Sequence, residues 1–517
     1  MARAQATRLG PFVGGINSAS DATAVADAEL VECENFELDI DGSLVGRPPI
    51  VETASVGTGN LLVIGRAIIA GVSYVIVASE NGGVWAYDGT TYTLIKSGLK
   101  SKVALQYRDN VYIIPLPGTS GVQKGGRWDG AIFTADANMP EGEAAVFHKT
   151  RLFVVPGISA TVDTSRVKYT DVITSTTLAW GNFTDISPGD GESLIDIVIY
   201  NDNLMLFKQD STYVLAYDLN PSDAIVRAVS STIGATAYRC VEVYENSVFV
   251  YHEGTVFEIV NYDFSRINLK VPFLFDGFVP SGTRKQNVFL STLGDRLVVR
   301  YYNNIYVYGL KTRTWSKWVS QSSDLQNFGP LTEYPSNPTQ SINSKYYGGS
   351  CLDSPHVFYI PDGYDATTKE TSIAGGAVAI KCMMQTKNYD MADSHHFKKL
   401  MWWGADIYSS QVVIGEAHPI ISSFQVTWND LATFTWGALA TNTWAQPLNA
   451  PGVISTTITD TSAVLRKFVK FLKTLRFRQM YFVIRMEYDG TLVQGPCRLF
   501  TITALMASKQ TVGKQVN

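Results

Sequence analysis

Along the middle of the chain, short runs of apolar residues recur at a regular spacing. Each run has four to six apolar, β-branched or aromatic residues and follows a polar turn residue, usually Asp or Asn. The copies span residues 73–77, 109–114, 150–155, 203–207, 246–251, 295–299 and 356–360. Their starts lie about 40 to 60 residues apart, the length of one four-stranded blade. The spacing therefore predicts a β-propeller of six or seven blades over residues 56–370.

Aromatic strands and tight turns follow these runs. The strands that end at Tyr87 and Trp128 are each succeeded by Asp-Gly, which supplies the positive φ angles that a two-residue hairpin turn needs. We expect the large rings to pack between adjacent blades, where burial stabilises the fold by about 1.5–3 kcal/mol per side chain.

The segments on either side of the repeat have a different pattern of apolar and polar residues. Residues 1–55 lack the repeated run and are predicted to form an extended arm, with a short helix over residues 21–30, where Ala, Glu and Leu are frequent. Residues 371–517 contain alternating strands, of which residues 476–485 form the clearest, and predict an antiparallel β-sandwich. The prediction is thus an all-β protein with an N-terminal arm, a propeller and a C-terminal sandwich.

Composition narrows the classes of function. The formal net charge is −5, so no general attraction to nucleic acid or to an anionic membrane is expected. The five cysteines are scattered without a CxxC pair, which predicts buried reduced thiols rather than disulfides or zinc ligands. The N-terminus lacks the apolar segment of a secretory signal. We expect synthesis in a host cytoplasm and no insertion into a membrane.

Candidate catalytic and metal-binding motifs fail on their spacing. The Asp39–Ser43 stretch resembles part of a calcium loop, but Pro48 occupies the position of the bidentate Glu. His395 and His396 are adjacent, so on a strand they would point to opposite faces. Asp190 and Glu192 are expected to lie in a solvated turn. We therefore expect no enzyme activity, no catalytic residue, no cofactor and no metal.

One basic run stands out near the C-terminus. It contains Arg466, Lys467, Lys470, Lys473, Arg476 and Arg478, and no acidic residue lies between Thr461 and Met486. One interpretation is a basic patch that faces a polyanion such as double-stranded DNA in transit. The alternative is a solvated basic face that docks onto an acidic neighbouring subunit.

Three segments, taken together, resemble bacteriophage tail proteins of the nozzle, hub or minor tail type. The first is the opening, with Gly14-Gly15-Ile16-Asn17, Asn35-Phe36 and Asp41-Gly42 followed by Arg47-Pro48-Pro49. The second is residues 201–215, which are similar to a propeller strand of these proteins, and the third is residues 476–482. The resemblance implies a structural virion component, located in the tail, that is built of a propeller and a sandwich.

The resemblance also implies partners. It predicts a homo-oligomeric ring, a hexamer or a trimer, that contacts other tail proteins and contributes to the DNA conduit or to the host-facing end. Within it, Gly14, Gly15, Arg47, Pro48 and Pro49 are the candidate residues for anchoring one subunit to the next.

The alternative function is a glycan-binding module that recognises a host surface receptor. Its stacking residues would be tryptophans of the last third: Trp402, Trp403, Trp436 and Trp444. The same tryptophans could instead form a hydrophobic core. A sialidase-type propeller enzyme is a third class, for which the sequence offers no catalytic centre.

Overall fold

The structure is a computed structural model in which nearly every ordered element is a β-strand. It describes residues 5–9, 11–53, 55–118, 124–271, 288–301, 304–320, 329–334, 345–350, 355–362, 370–371, 378–389, 398–409, 413–420, 454–458, 464–477, 479–488 and 498–508. In these residues the single helix is a 3-10 turn, Pro221–Asp223, which Asn220 caps. None of the described helical structure has the length and apolarity to cross a bilayer.

The N-terminal part contains six short strands. They are β1 (Gln5–Leu9), β2 (Gly15–Ile16), β3 (Glu29–Glu34), β4 (Phe36–Leu38), β5 (Leu44–Gly46) and β6 (Val51–Glu52).

Seven four-stranded antiparallel blades follow the order of the chain. Blade 1 is β7 (Leu61–Ile69), β8 (Val72–Ser79), β9 (Gly83–Tyr87) and β10 (Tyr92–Ser97). Blade 2 is β11 (Val103–Tyr107), β12 (Asn110–Ile114), β13 (Gly126–Trp128) and β14 (Phe133–Ala135). Blade 3 is β15 (Ala144–His148), β16 (Arg151–Val155), β17 (Arg166–Thr170) and β18 (Trp180–Asp185).

Blades 4 to 7 complete the propeller. Blade 4 is β19 (Leu194–Tyr200), β20 (Asn203–Lys208), β21 (Thr212–Ala216) and β22 (Ile225–Ser230). Blade 5 is β23 (Val241–Tyr244), β24 (Ser247–His252), β25 (Thr255–Val260) and β26 (Asp263–Arg266). Blade 6 is β27 (Val288–Leu293), β28 (Arg296–Tyr301), β29 (Asn304–Gly309) and β30 (Thr314–Trp318). Blade 7 is β31 (Thr332–Glu333), β32 (Lys345–Gly349), β33 (Val357–Pro361) and the N-terminal strand β6.

The ring is closed by strand β6. It pairs with β33, where Val51 lies opposite Tyr359, and so supplies the outermost strand of blade 7. Residues from early in the chain therefore complete the last blade, and the blade number is seven. The predicted β-propeller is confirmed.

Hydrophobic clusters lie between successive blades all around the ring. Trp128 of blade 2 is buried in a cluster with strands of blade 1, and its ring contacts Tyr74 edge-on at 5.2 Å between centroids. Tyr347 of blade 7 packs with Val75 and Tyr87 of blade 1, which closes the circle. The aromatic rings thus pack between blades.

The repeated apolar run occupies the second strand of blades 1 to 6, and the third strand, β33, of blade 7. Blade 7 differs because its chain segment supplies only three strands and the fourth comes from β6. The middle strands of a blade are covered by both neighbouring blades, and this explains why they are the most apolar.

The C-terminal strands are β34 (Ile380–Thr386), β35 (Lys398–Ser409), β36 (Val413–Ile420), β37 (Ile454–Ile458), β38 (Val464–Phe477), β39 (Gln479–Tyr488) and β40 (Arg498–Ser508). One sheet has the order β38-β35-β40-β5-β4, with β1 also on β40. The facing sheet continues blade 6 through β3 into β34, β39, β36 and β37, with β2 also on β3. The two sheets share one buried core, which includes Phe36, Trp403 and Phe482. This arrangement is the predicted β-sandwich.

Both ends of the chain build the sandwich. The segment predicted as an arm, residues 1–55, supplies β1 to β5 to the sandwich and β6 to the propeller. The helix predicted over residues 21–30 is wrong, because Asp21 accepts bonds from Thr23 in a turn, and β3 begins at Glu29. Local helix propensity is overridden there by pairing of β3 with β34.

Candidate assembly site at the junction of propeller and sandwich

The propeller and the sandwich are joined through one residue with a left-handed backbone. Asn35 follows β3 at φ 58°, a conformation that Asn tolerates better than most residues. Its side-chain amide donates to the carbonyls of Val319 in blade 6 and Lys381 in the sandwich, at 2.6 and 2.8 Å. Its carbonyl Oδ1 accepts from Val319 N at 2.7 Å. Asn35 therefore ties both domains to one turn.

Arg47 forms the charged centre of this junction. Its guanidinium makes a bidentate pair with Glu370, at 2.6 and 3.0 Å, and neither side chain is exposed to solvent. The Arg47 Nε also donates to Asn35 Oδ1 at 2.8 Å, and the guanidinium lies over the Trp318 ring. Glu370 accepts a further bond from Ser320 at 2.9 Å. The charges are thus fully hydrogen-bonded within one chain.

Removing one partner of such a pair is costly because the other charge remains buried without compensation. The expected loss is about 3–5 kcal/mol, even though the intact pair contributes little net stability. The pair therefore specifies how β5, the segment leading to β6 and residue 370 meet.

The residues predicted to anchor subunits lie at this junction. Gly15 has φ 66°, and a Cβ there would lie 2.7 Å from Cβ of Thr314 in blade 6. A Cβ on Gly14 would lie 2.4 Å from Glu29. Pro48 and Pro49 are buried, and the carbonyl of Pro48 accepts from Arg47 at 2.9 Å. Arg47 has its contacts inside the chain, and the subunit-anchoring role of these five residues stays a prediction.

A cleft of about 390 Å³ opens beside the junction, between residues 37–40 of the sandwich and blade 6. Arg296 at its centre pairs with Glu37 at 2.7 Å and with Asp362 at 3.6 Å. Burial raises the pKa of Asp362, and Asp295 adds like-charge repulsion. The cleft is polar and internally paired.

The basic run lies mostly on strand β38, an edge strand in the described part of its sheet. Its backbone pairs with β35 so that Arg466 is opposite Ile407 and Lys470 is opposite Trp403. Lys467, Lys473 and Arg476 share the strand, whereas Arg478 lies outside the described residues. A DNA contact of this run stays a prediction.

Other candidate residues resolve into structural roles where they are described. Trp403 is fully buried in the sandwich core, while Trp436, Trp444 and the pair His395-His396 lie outside the described residues. The described cysteines Cys33, Cys240 and Cys382 are buried thiols that form no disulfide with one another. Within the described ranges no cluster of three or more His, Cys, Asp or Glu is placed to hold a metal ion.

The Asp190–Glu192 turn is more than a solvated turn. Asp190 receives two bonds, at 2.7 and 2.6 Å, from the ammonium of Lys208, whose side chain is fully buried. Glu192 Oε2 accepts from Ser211 at 2.9 Å. The loop therefore covers a buried lysine at the end of β20, an interior strand of blade 4.

Sequence reasoning singled out Arg47 but missed its partner Glu370 and the bridging residue Asn35. An acidic residue isolated in a loop 323 positions away carries no local signal that it will meet Arg47. The Asn35-Phe36 step was part of the family resemblance, and its chemistry becomes visible only at the junction.

Comparison with known proteins adds little beyond the fold. No protein family model matches the chain, and no curated protein matches it either. Among solved structures, it is similar to BamB from Moraxella catarrhalis at 13% identity and a TM-score of 0.36, over 63% of this chain and 93% of that one. It is similar to the Neurospora crassa Pan2 WD40 domain at 9% identity and a TM-score of 0.37, over 71% and 97%. YCF48 from Cyanidioschyzon merolae is 10% identical at a TM-score of 0.39, over 60% and 98%. The propeller assignment rests on the strand pairing described above.

Proposed function

We propose that this protein is a structural component of a bacteriophage tail, of the nozzle, hub or minor tail type, that assembles as a homo-oligomeric ring. The observation that carries the proposal is the single sheet that runs from blade 6 through β3 into the sandwich, held by the buried Arg47–Glu370 pair. A propeller fused in this way to a sandwich is one rigid body, and a rigid body suits a part that transmits force and holds neighbours in place.

The family resemblance supports the same reading. The motif residues Asn35, Arg47 and Pro48 are buried or bonded at this junction. A sequence motif that encodes a domain junction is consistent with a shared architecture rather than with a shared catalytic centre.

The ring is tested by native mass spectrometry and negative-stain microscopy of the full chain. We expect a closed assembly of three or six copies. In phage particles from the same source, a gold-labelled antibody against the chain should bind the tail. A monodisperse monomer in solution together with unlabelled tails would overturn the proposal.

The DNA contact is tested separately, with the basic run replaced by Gln at Arg466, Lys467, Lys470, Lys473, Arg476 and Arg478. If DNA passes against this strand, retention of double-stranded DNA at low salt falls, and the variant shows a weaker dependence on salt. A control variant removes two positive charges from the propeller surface, by replacing the exposed residues Lys311 and Lys345 with Gln, and it should bind DNA as the wild type does. Equal retention by all three proteins would place the DNA path elsewhere.

A further inference from the structure

The axis of the propeller is crossed by one side chain. Tyr238 precedes the inner strand of blade 5, and its hydroxyl donates to the carbonyl of Lys102, which precedes the inner strand of blade 2, at 2.5 Å. In a ring of seven blades these two lie on opposite sides. The Tyr238 hydroxyl also accepts from Nε of Arg239 at 2.8 Å. Tyr238 thus links blade 5 to blade 2 across the axis of the propeller.

Further hydrogen bonds hold the segment that follows Tyr238 against blades 4 and 6. The carboxylate of Asp196, on the inner strand of blade 4, accepts from the backbone N–H of Arg239 at 3.2 Å. The backbone carbonyl of Arg239 accepts from Leu290 N of blade 6 at 2.8 Å. Glu242 on blade 5 accepts from Thr292 of blade 6 at 2.8 Å. The segment from residue 238 to residue 242 therefore touches blades 2, 4 and 6.

We propose that this axial cluster is a pH-sensitive lock, in which the charge on Asp196 decides how firmly the Tyr238–Arg239 segment is held across the propeller axis. The charged and titratable groups that act on it come from the inner strands of blades 1, 2, 3 and 5 or the residues just before them: Arg66, Lys102, Glu143, Tyr238, Arg239, Cys240 and Glu242. Lys102 is paired with Glu143 at 3.1 Å, and Arg66 with Glu333. The charge of Arg239 acts on both Asp196 and Glu242, and Arg66 adds to it at Glu242.

The direction of the response follows from burial. Asp196 is only 6% exposed, and burial raises its pKa to about 7, while burial also raises the pKa of Glu242. A carboxyl whose pKa is higher in the locked state than in the open state favours the lock when it is protonated. Taking the ordinary carboxyl value of 3.8 for a solvated Asp196, that stabilisation is complete below pH 3.8 and is lost as the pH rises through about 7. Above this pH the ionised Asp196 carboxylate lies buried beside Glu242 and Arg239.

The rate at which Cys240 is alkylated reports how often the Tyr238–Arg239 segment opens. It directly follows Arg239, its side chain is fully buried, and its Sγ contacts the carbonyl of Val288 at 3.4 Å. Burial raises the pKa of the Cys240 thiol, so alkylation requires the segment to open. Cys382, buried in the sandwich core, serves as an internal control in the same protein.

The test measures alkylation of both cysteines in the full chain by mass spectrometry, each rate divided by that of the urea-denatured chain at the same pH. Between about pH 5.5 and pH 8.5 we expect the protection of Cys240 to fall roughly tenfold or more, and that of Cys382 to stay constant. In Asp196→Asn, which keeps size and shape, the pH-dependent fall in the protection of Cys240 should be clearly smaller than in the wild type.

A second variant tests the hydrogen bond between Tyr238 and Lys102. Tyr238→Phe removes only the hydroxyl and should lower the protection of Cys240 at both pH values, while the pH response persists. Protection of Cys240 that is equal at both pH values in the wild type, or an unchanged fall in Asp196→Asn, would overturn the lock. If Cys240 in Tyr238→Phe is as well protected as in the wild type, the hydrogen bond between Tyr238 and Lys102 does not hold the segment. The lock operates within a single chain, so this outcome is independent of ring assembly.

Discussion

Arg47 and Glu370 lie 323 residues apart and form a bidentate ion pair from which solvent is excluded. One partner belongs to the segment between β5 and β6, and the other follows the last strand of the propeller. Their meeting joins the strand that closes blade 7 to the sandwich, which is built from β1 to β5 and β34 to β40. The pair is therefore the point at which the two domains become one body.

Breaking this pair should be far more costly than breaking an exposed one. Glu370→Gln removes the buried carboxylate with which the Arg47 guanidinium forms its bidentate pair, and we expect a loss of about 3–5 kcal/mol in the free energy of unfolding. Urea denaturation followed by tryptophan fluorescence measures this loss. Lys311→Ala, which removes the half-exposed pair with Asp295, should cost far less, because solvent screens that pair. Similar losses in the two variants would contradict the buried role of Arg47.

Ring closure depends on aromatic packing between the last blade and the first. Tyr347 of blade 7 is 3% exposed and contacts Tyr87 of blade 1 at 5.7 Å between ring centroids. We expect Tyr347→Ala to destabilise the protein by about 3–5 kcal/mol, because it leaves a cavity at the closure point. Thermal unfolding would show a lower midpoint. Leu94→Ala, at a half-exposed position of blade 1, is the control and should shift the midpoint little.

The buried Lys208 gives a paired comparison within one loop. Asp190→Asn removes the carboxylate that compensates the Lys208 ammonium, and we expect a loss of about 3 kcal/mol. Glu192→Gln keeps an acceptor for the Ser211 hydroxyl and should cost less than about 1 kcal/mol. Denaturation curves of the two variants in parallel decide the matter. If both variants behave alike, the loop is the solvated turn that its sequence suggests.

The stabilisation that Asp88 gives to its turn in blade 1 should be lost in acid. Backbone bonds from Thr91 and Thr90 hold the pKa of Asp88 down, at about 2. Because this folded value lies below the ordinary 3.8, the stabilisation is present above pH 3.8 and is lost as the pH falls through about 2. Asp88→Asn should cost no more than about 1 kcal/mol near pH 7, since the turn is partly solvated, and nothing below about pH 2. A loss that is the same at both pH values would show that Asp88 acts through shape alone.

The repeated apolar runs were enough to predict the propeller and, from the alternation near the C-terminus, the sandwich. This is possible because strand periodicity is local: each middle strand of a blade is covered on both sides, so its apolar residues appear together in the chain. The same local logic failed at residues 21–30, where Ala-rich composition suggested a helix. Pairing of β3 with a strand from the other end of the chain decided that segment instead.

What the sequence alone determined is therefore the class of element and its repeat, since these depend on neighbours along the chain. The tertiary structure decided that seven blades close through β6, that Arg47 meets Glu370, and that Asp196 and Arg239 face each other beneath Tyr238. Such pairs join residues that only the closed ring brings together. Burial then determines how strongly these charges affect stability, and burial cannot be read from a stretch of sequence.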